Sequence, residues 1–253
     1  MSRSPLEKFR TIFKRSSSNS SRSNSTQSEN NSLTMGGENY DYDEPPLTPL
    51  ELHGYKSTTK HRLLNKELAE ELRQHVPALL QISHDWELLY SIEQSGTSLQ
   101  TLYDKCQPQI GESVNRRRGY LIVVQDTRKN IFGAYINEHL RPLDKKIYYG
   151  NGDCFLWKLE KGDVKDLNNK HQSIEKKEVS LNLKVFPFTS VNDFVIYSNN
   201  QFISVGSGDG KFGLWIDSNL SIGASDSVDT FGNEPLSDRK KFYILGLEIW
   251  KIC

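Results

Sequence analysis

The sequence predicts a mainly β fold with flanking helices (α+β), arranged as an antiparallel sandwich or barrel. Three observations predict it. From Gly119 onward, short β-branched and aromatic runs recur with turn residues between them. Helical spacing is confined to residues 65–108. No helical segment separates the later runs, so a βαβ series has no crossovers to build on.

Residues 1–46 stand apart from residues 47–253. Ser16 to Ser32 is mostly Ser and Asn, and such a segment cannot offset its chain entropy by burial, so it is expected to be disordered. Arg3, Lys8, Arg10, Lys14, Arg15 and Arg22 make the front basic, and Glu38, Asp41, Asp43 and Glu44 follow as an acidic patch before Pro45-Pro46. Ser4 and Pro5 suit a helix start, with Leu6, Phe9, Ile12 and Phe13 on one face. Three readings of residues 4–15 stay open: a solvated basic tail, a helix making weak contact with a membrane surface, or a transit peptide.

The globular part opens with helices. Asn65 is placed to cap a helix through about Val76, because Leu68, Leu72 and Val76 recur every four residues. Pro77 stops it or starts another turn. Trp86 to Ile92 is a short apolar run. Ser98 caps a second helix, with Leu99, Leu102 and Tyr103 facing inward and Pro108 as the stop. Strands follow. Gly119–Gln125 and Ile131–Ile136 read as a hairpin around Thr127–Asn130, and Ile147–Gly150 and Cys154–Leu159 as another around Asn151-Gly152-Asp153. Leu183–Phe188, Phe194–Tyr197, Phe202–Val205, Gly213–Ile216, Ser221–Gly223 and a long closing strand, Lys241–Ile252, complete the series. Glu160 to Glu178 is polar and lysine-rich, and is expected to be an exposed insertion at about 160–178.

The stretch FISVGSGDGKFGLWID, from Phe202, contains G-x-G-x-x-G at Gly208, Gly210 and Gly213. In a dinucleotide-binding turn that pattern must follow a strand and open a helix, whose free N–H groups hold the pyrophosphate. Here the residues after the glycines alternate as a strand. Asp209-Gly210 instead favours a type I′ hairpin turn, and Gly206 and Gly208 suit a bulge or a close backbone approach. No cofactor is expected.

Other chemistry is sparse. Lys+Arg and Asp+Glu both total 32, so charge gives no argument for nucleic-acid binding. The three cysteines, Cys106, Cys154 and Cys253, include no C-x-x-C pair, which points to a reducing compartment rather than a disulfide framework. The six histidines are scattered and no metal site is expected. No apolar run is long enough to span a membrane. Asp153, Asp209 and Asp217 sit at turns and are expected to serve the backbone. Cys154 follows a turn and is expected to be buried; if partly exposed it would be a candidate peroxide-reactive thiol. Glu248 is an acid within an apolar strand. By alternation it shares a face with Gly246 and Trp250, pointing to solvent or half-buried against a loop donor.

WELLYSIEQSGTSLQTLY from Trp86, NIFGAY from Asn130, YYGNGDCFLWKL from Tyr148, the stretch from Phe202, DTFGNEPLS from Asp229 and ILGLEIWKI from Ile244 resemble the TLDc domain in order and spacing. The chain is most similar to short fungal members of the oxidation resistance family, over roughly residues 50–253. The resemblance implies two antiparallel sheets packed as a sandwich with flanking helices. It implies non-enzymatic protection from oxidative damage, and binding to the peripheral-stalk or cytosolic sector of the vacuolar-type proton ATPase, with disassembly or inhibition of the pump. Direct peroxide scavenging through Cys154 is the alternative. Gly208, Asp209, Gly210 and Glu248 are carried over as partner-binding or hairpin-shaping residues. A monomer is expected, cytoplasmic at the vacuolar membrane, with mitochondria as an alternative or additional location.

Overall fold

The computed structural model describes residues 46–109, 118–145, 147–160 and 182–252. The expected tail, its basic helix, nearly all of the expected insertion and Cys253 lie outside the described residues.

The order is β1 (Glu51–His53), α1 (Lys66–Arg73), α2 (Ala78–Gln81), β2 (Asp85–Ser91), α3 (Ile92–Ser95), α4 (Leu99–Cys106), β3 (Gly119–Asp126), β4 (Ile131–Ile136), β5 (Phe155–Glu160), β6 (Asn182–Pro187), β7 (Ile196–Ser198), β8 (Phe202–Gly208), β9 (Lys211–Asp217), β10 (Ile222–Ala224) and β11 (Lys241–Ile252). Both predicted caps form. Asn65 accepts from the Leu68 N–H at 2.9 Å, and Ser98 Oγ from the Thr101 N–H at 3.2 Å. Each satisfies a first-turn donor that the helix itself leaves unpaired.

The strands form two sheets that share β11. Its first part, Lys241–Tyr243, pairs with β10, which leads on to β9, β8 and β7. Its later part lies between β3 and β2, with β4, β5 and β6 beyond β3. Strand alternation then makes two cores. Ile122, Val124, Ala134, Leu156, Leu247 and Ile249 face Ile203, Val205, Leu214 and Ile216 between the sheets. Leu121, Val123, Tyr135, Trp157 and Trp250 face outward, where Leu68, Leu72, Val76 and Leu80 cover them. Each such leucine contributes about 1.5–3 kcal/mol by leaving water.

Three sequence expectations are corrected. Residues 147–154 form no hairpin: Tyr149 makes only an isolated bridge to Ile196. Asn151 Oδ1 accepts from the Asp153 N–H at 2.8 Å, so the Asn-Gly pair sits in a side-chain-closed turn that does not reverse one strand onto the next. The first helix stops at Arg73, not Val76. The Arg73 side chain turns inward, where Nη1 donates to the Thr48 carbonyl at 2.7 Å. Strand β1 has no counterpart among the expected elements. It pairs parallel to β2, so α1 and α2 form a crossover in an otherwise antiparallel arrangement. Three residues with one apolar member, Leu52, are too short for periodicity to register.

Candidate functional site

The glycine-rich stretch is a hairpin. β8 and β9 pair from Phe202↔Asp217 to Gly208↔Lys211, so residues 211–217 are a strand where a dinucleotide turn needs a helix. Asp209 (φ 50°) and Gly210 (φ 73°) both have positive φ, as a type I′ turn demands. Gly206 (φ 75°) makes the close approach: a Cβ there would lie 2.7 Å from Phe231 Cδ2. Phe231 belongs to the 229–237 loop, and Thr230 Oγ1 in that loop donates to the Ser207 carbonyl at 2.9 Å. Gly208 carries no such constraint, since a Cβ there would meet nothing within 4 Å.

The outer face of this sheet carries a further feature. Phe202 and Trp215 point away from the core that takes Ile203, Leu214 and Ile216. They belong to a continuous row of rings. Phe194 and Tyr148 are 4.9 Å apart, Tyr148 and Tyr197 5.6 Å, and Tyr197 and Phe202 5.4 Å. Phe202 lies 5.9 Å from both Phe212 and Trp215. Phe194 is exposed and the others half-buried. Helices α1 and α2 cover the outer face of the opposite sheet, and among the described residues this row is a partly exposed aromatic surface on the hairpin. Alternation around Leu214 signals Trp215. Tyr148 and Phe194, expected within strands at Ile147–Gly150 and Phe194–Tyr197, lie instead in connecting segments, since β7 begins only at Ile196.

Glu248 does not point to solvent, nor is it half-buried: it is 1% exposed. Its carboxylate accepts from the Leu63 N–H at 3.0 Å, the Leu64 N–H at 3.3 Å, the Tyr55 hydroxyl at 2.8 Å and Trp250 Nε1 at 2.9 Å. Burial pushes its pKa up, and these donors pull it back only in part. Burial likewise raises the Tyr55 hydroxyl, followed by the nearby carboxylate. Glu248 therefore fastens the 55–64 segment to β11. It is not near the hairpin turn, and the structure does not bring the four carried-over residues into one site.

Cys154 is 1% exposed, and its Sγ donates to Asn137 Oδ1 at 3.1 Å. Burial pushes its thiol up to about 11. Cys106 at the end of α4 is buried too, its thiol pushed up to about 12 by burial. Among the described residues, one group gathers metal-ligating atoms: Glu51, His53 and Asp85, where β1 meets β2.

The TLDc domain family model matches residues 57–253. Oxidation resistance protein 1 of Kluyveromyces lactis is 46% identical over 228 residues, covering 89% of this chain and 89% of that protein. The protein of the same name from Saccharomyces cerevisiae is 41% identical over 220 residues, covering 83% and 80%. That from Candida glabrata is 37% identical over 266 residues, covering 98% and 97%. With its two sheets joined through β11, the covering helices and a family match across every strand from β2 onward, the chain belongs to the TLDc domain family.

Proposed function

We propose that this protein protects cells from oxidative stress by binding rather than by catalysis, docking on the cytosolic, peripheral-stalk sector of the vacuolar-type proton ATPase and favouring its disassembly or inhibition. The names of its fungal relatives support the protective role. The observation that carries a binding role is the aromatic row on the outer face of the β7–β10 sheet. Partly exposed Tyr, Phe and Trp side chains offer large contact area with few rotatable bonds, and such residues are enriched in protein interfaces. The Asp209-Gly210 turn stands at the end of the same hairpin and would extend the contact. Glu248 would act at a distance, by holding the scaffold rigid.

Direct scavenging through Cys154 has less support. A thiol at about 11 is ionised in only about one molecule in ten thousand at neutral pH, and the thiolate is the reactive form. Pump binding places the working protein in the cytoplasm at the vacuolar membrane; mitochondrial targeting through residues 4–15 is the additional location to test.

The experiment is a pull-down of the detached pump sector by the full chain and by residues 47–253, with ATP hydrolysis measured alongside. Capture by both assigns recognition to the folded domain. Capture by the full chain alone assigns it to the first 46 residues. Capture by neither overturns the pump reading.

A further inference from the structure

The histidines are scattered in sequence, but the parallel pairing of β1 with β2 assembles two of them with two carboxylates. Glu51 lies opposite Asp85, and His53 is two residues along the same strand, hence on the same face. His53 Nε2 is 3.0 Å from Asp85 Oδ1 and 3.6 Å from Glu51 Oε2. All three ligand atoms lie within 4.8 Å of one another. His84 Nε2 sits 3.1 Å from Asp85 Oδ2, the other oxygen of the same carboxylate. The main chain brings the two segments side by side, since the Glu51 N–H donates to the His84 carbonyl at 2.7 Å.

We propose that Glu51, His53 and Asp85 form a binding site for a divalent transition-metal ion of the zinc class, with His84 orienting Asp85 through its second oxygen. The spacing fits. Ligand atoms about 2.0–2.2 Å from a tetrahedral ion lie about 3.3–3.6 Å apart; His53 to Glu51 at 3.6 Å matches, and His53 to Asp85 at 3.0 Å is a hydrogen bond whose proton the ion would replace, opening it by about 0.3 Å. The donor set fits as well: an imidazole with two carboxylates selects zinc-class ions over calcium or magnesium, which prefer oxygen alone. A dication would neutralise both carboxylates. A carboxylate ligand held from its other oxygen is the usual outer support of such a site. His53, Glu51 and Asp85 are each more than half exposed, so an ion reaches them directly from solvent and the fourth position stays open to water or a partner's side chain. The ion would act as a clip, fastening a three-residue edge strand to the sheet.

The test is calorimetric titration of the full chain with zinc chloride at pH 7.5, with thermal unfolding and hydrogen exchange at residues 51–53 in parallel. One equivalent is expected to bind in the micromolar range, raise the melting temperature and slow exchange in β1. His53→Ala is expected to weaken binding at least about tenfold and abolish both stabilising effects. His61→Ala, which removes an exposed imidazole paired with Glu93 elsewhere, leaves binding unchanged. These side chains are at the surface, so circular dichroism should report an intact fold in each variant. A dissociation constant weaker than about 100 µM overturns the proposal, as does equal binding by His53→Ala.

Discussion

Tyr55 and Glu248 are 193 positions apart in the chain and joined by a hydrogen bond of 2.8 Å. The same carboxylate takes two backbone N–H groups from Leu63 and Leu64 and the indole of Trp250, so one side chain closes the segment leading into α1 onto the last strand. Glu248→Ala strands these donors in a buried site and is expected to cost about 3–4 kcal/mol. Tyr55→Phe removes one donor and should cost about 1 kcal/mol. Equilibrium urea unfolding of the three proteins checks the ranking.

The pH dependence of that carboxylate has a definite sign. Burial raises its folded-state pKa above the unfolded value, so the folded state holds the proton more tightly. Its contribution to stability is full below the ordinary carboxylate range, about 4.3, and is lost as pH rises through the raised folded value. Glu248→Gln cannot titrate there. The stability of the native protein minus that of Glu248→Gln should therefore fall as pH rises across this window. Unfolding free energies measured from pH 4 to pH 8 would show it.

Glycines in the β8–β9 hairpin separate folding from recognition. Gly210→Ala keeps open space but forces a side chain into positive φ, and should cost about 1–2 kcal/mol. Gly206→Ala adds a clash with Phe231 and should cost more, about 3 kcal/mol. Gly208→Ala has neither problem and should be neutral or stabilising by about 0.5 kcal/mol. Thermal melts test the order. Weaker pump capture by a fully stable Gly208→Ala protein would assign the turn a contact role.

The aromatic row is expected to carry binding energy with little share in stability. Trp215→Ala and Phe202→Ala should each weaken capture of the pump sector about tenfold or more. Their effect on unfolding should be well below the 2–5 kcal/mol of a core truncation such as Leu214→Ala. Titrated pull-downs set against melting temperatures distinguish the two.

Cys154→Ser is expected to leave cellular resistance to hydrogen peroxide unchanged, because the thiol is buried and held near 11. Survival curves of cells carrying the native and substituted proteins measure this directly. Loss of resistance at normal protein abundance would restore the thiol chemistry.

Much of the fold was legible in local pattern. Asn65 and Ser98 announced their helices through cap chemistry, Asp209-Gly210 its turn, and the alternation from Lys241 to Ile252 the closing strand. What local pattern cannot show depends on distant segments meeting. Asn151-Gly152 has the composition of a hairpin turn, yet Tyr149 finds its partner at Ile196. Glu248 stood out as an acid in an apolar strand, but nothing near it names Tyr55 or the Leu63–Leu64 amides. The row from Phe194 to Trp215 mixes strands with connecting segments, and the Glu51, His53 and Asp85 group exists only because β1 returns parallel to β2.

The shared strand β11 also constrains how the protein is made. Every other described strand leaves the ribosome before it does, yet β3 and β2 need it between them and β10 needs it alongside. The nascent chain must carry two unfinished apolar surfaces until residues 241–252 emerge, the interval in which chaperones have most to shield. A premature stop before Lys241 would remove less than a tenth of the 253 residues and leave both cores open, so such truncated chains are expected to be cleared rather than to accumulate as partly working protein.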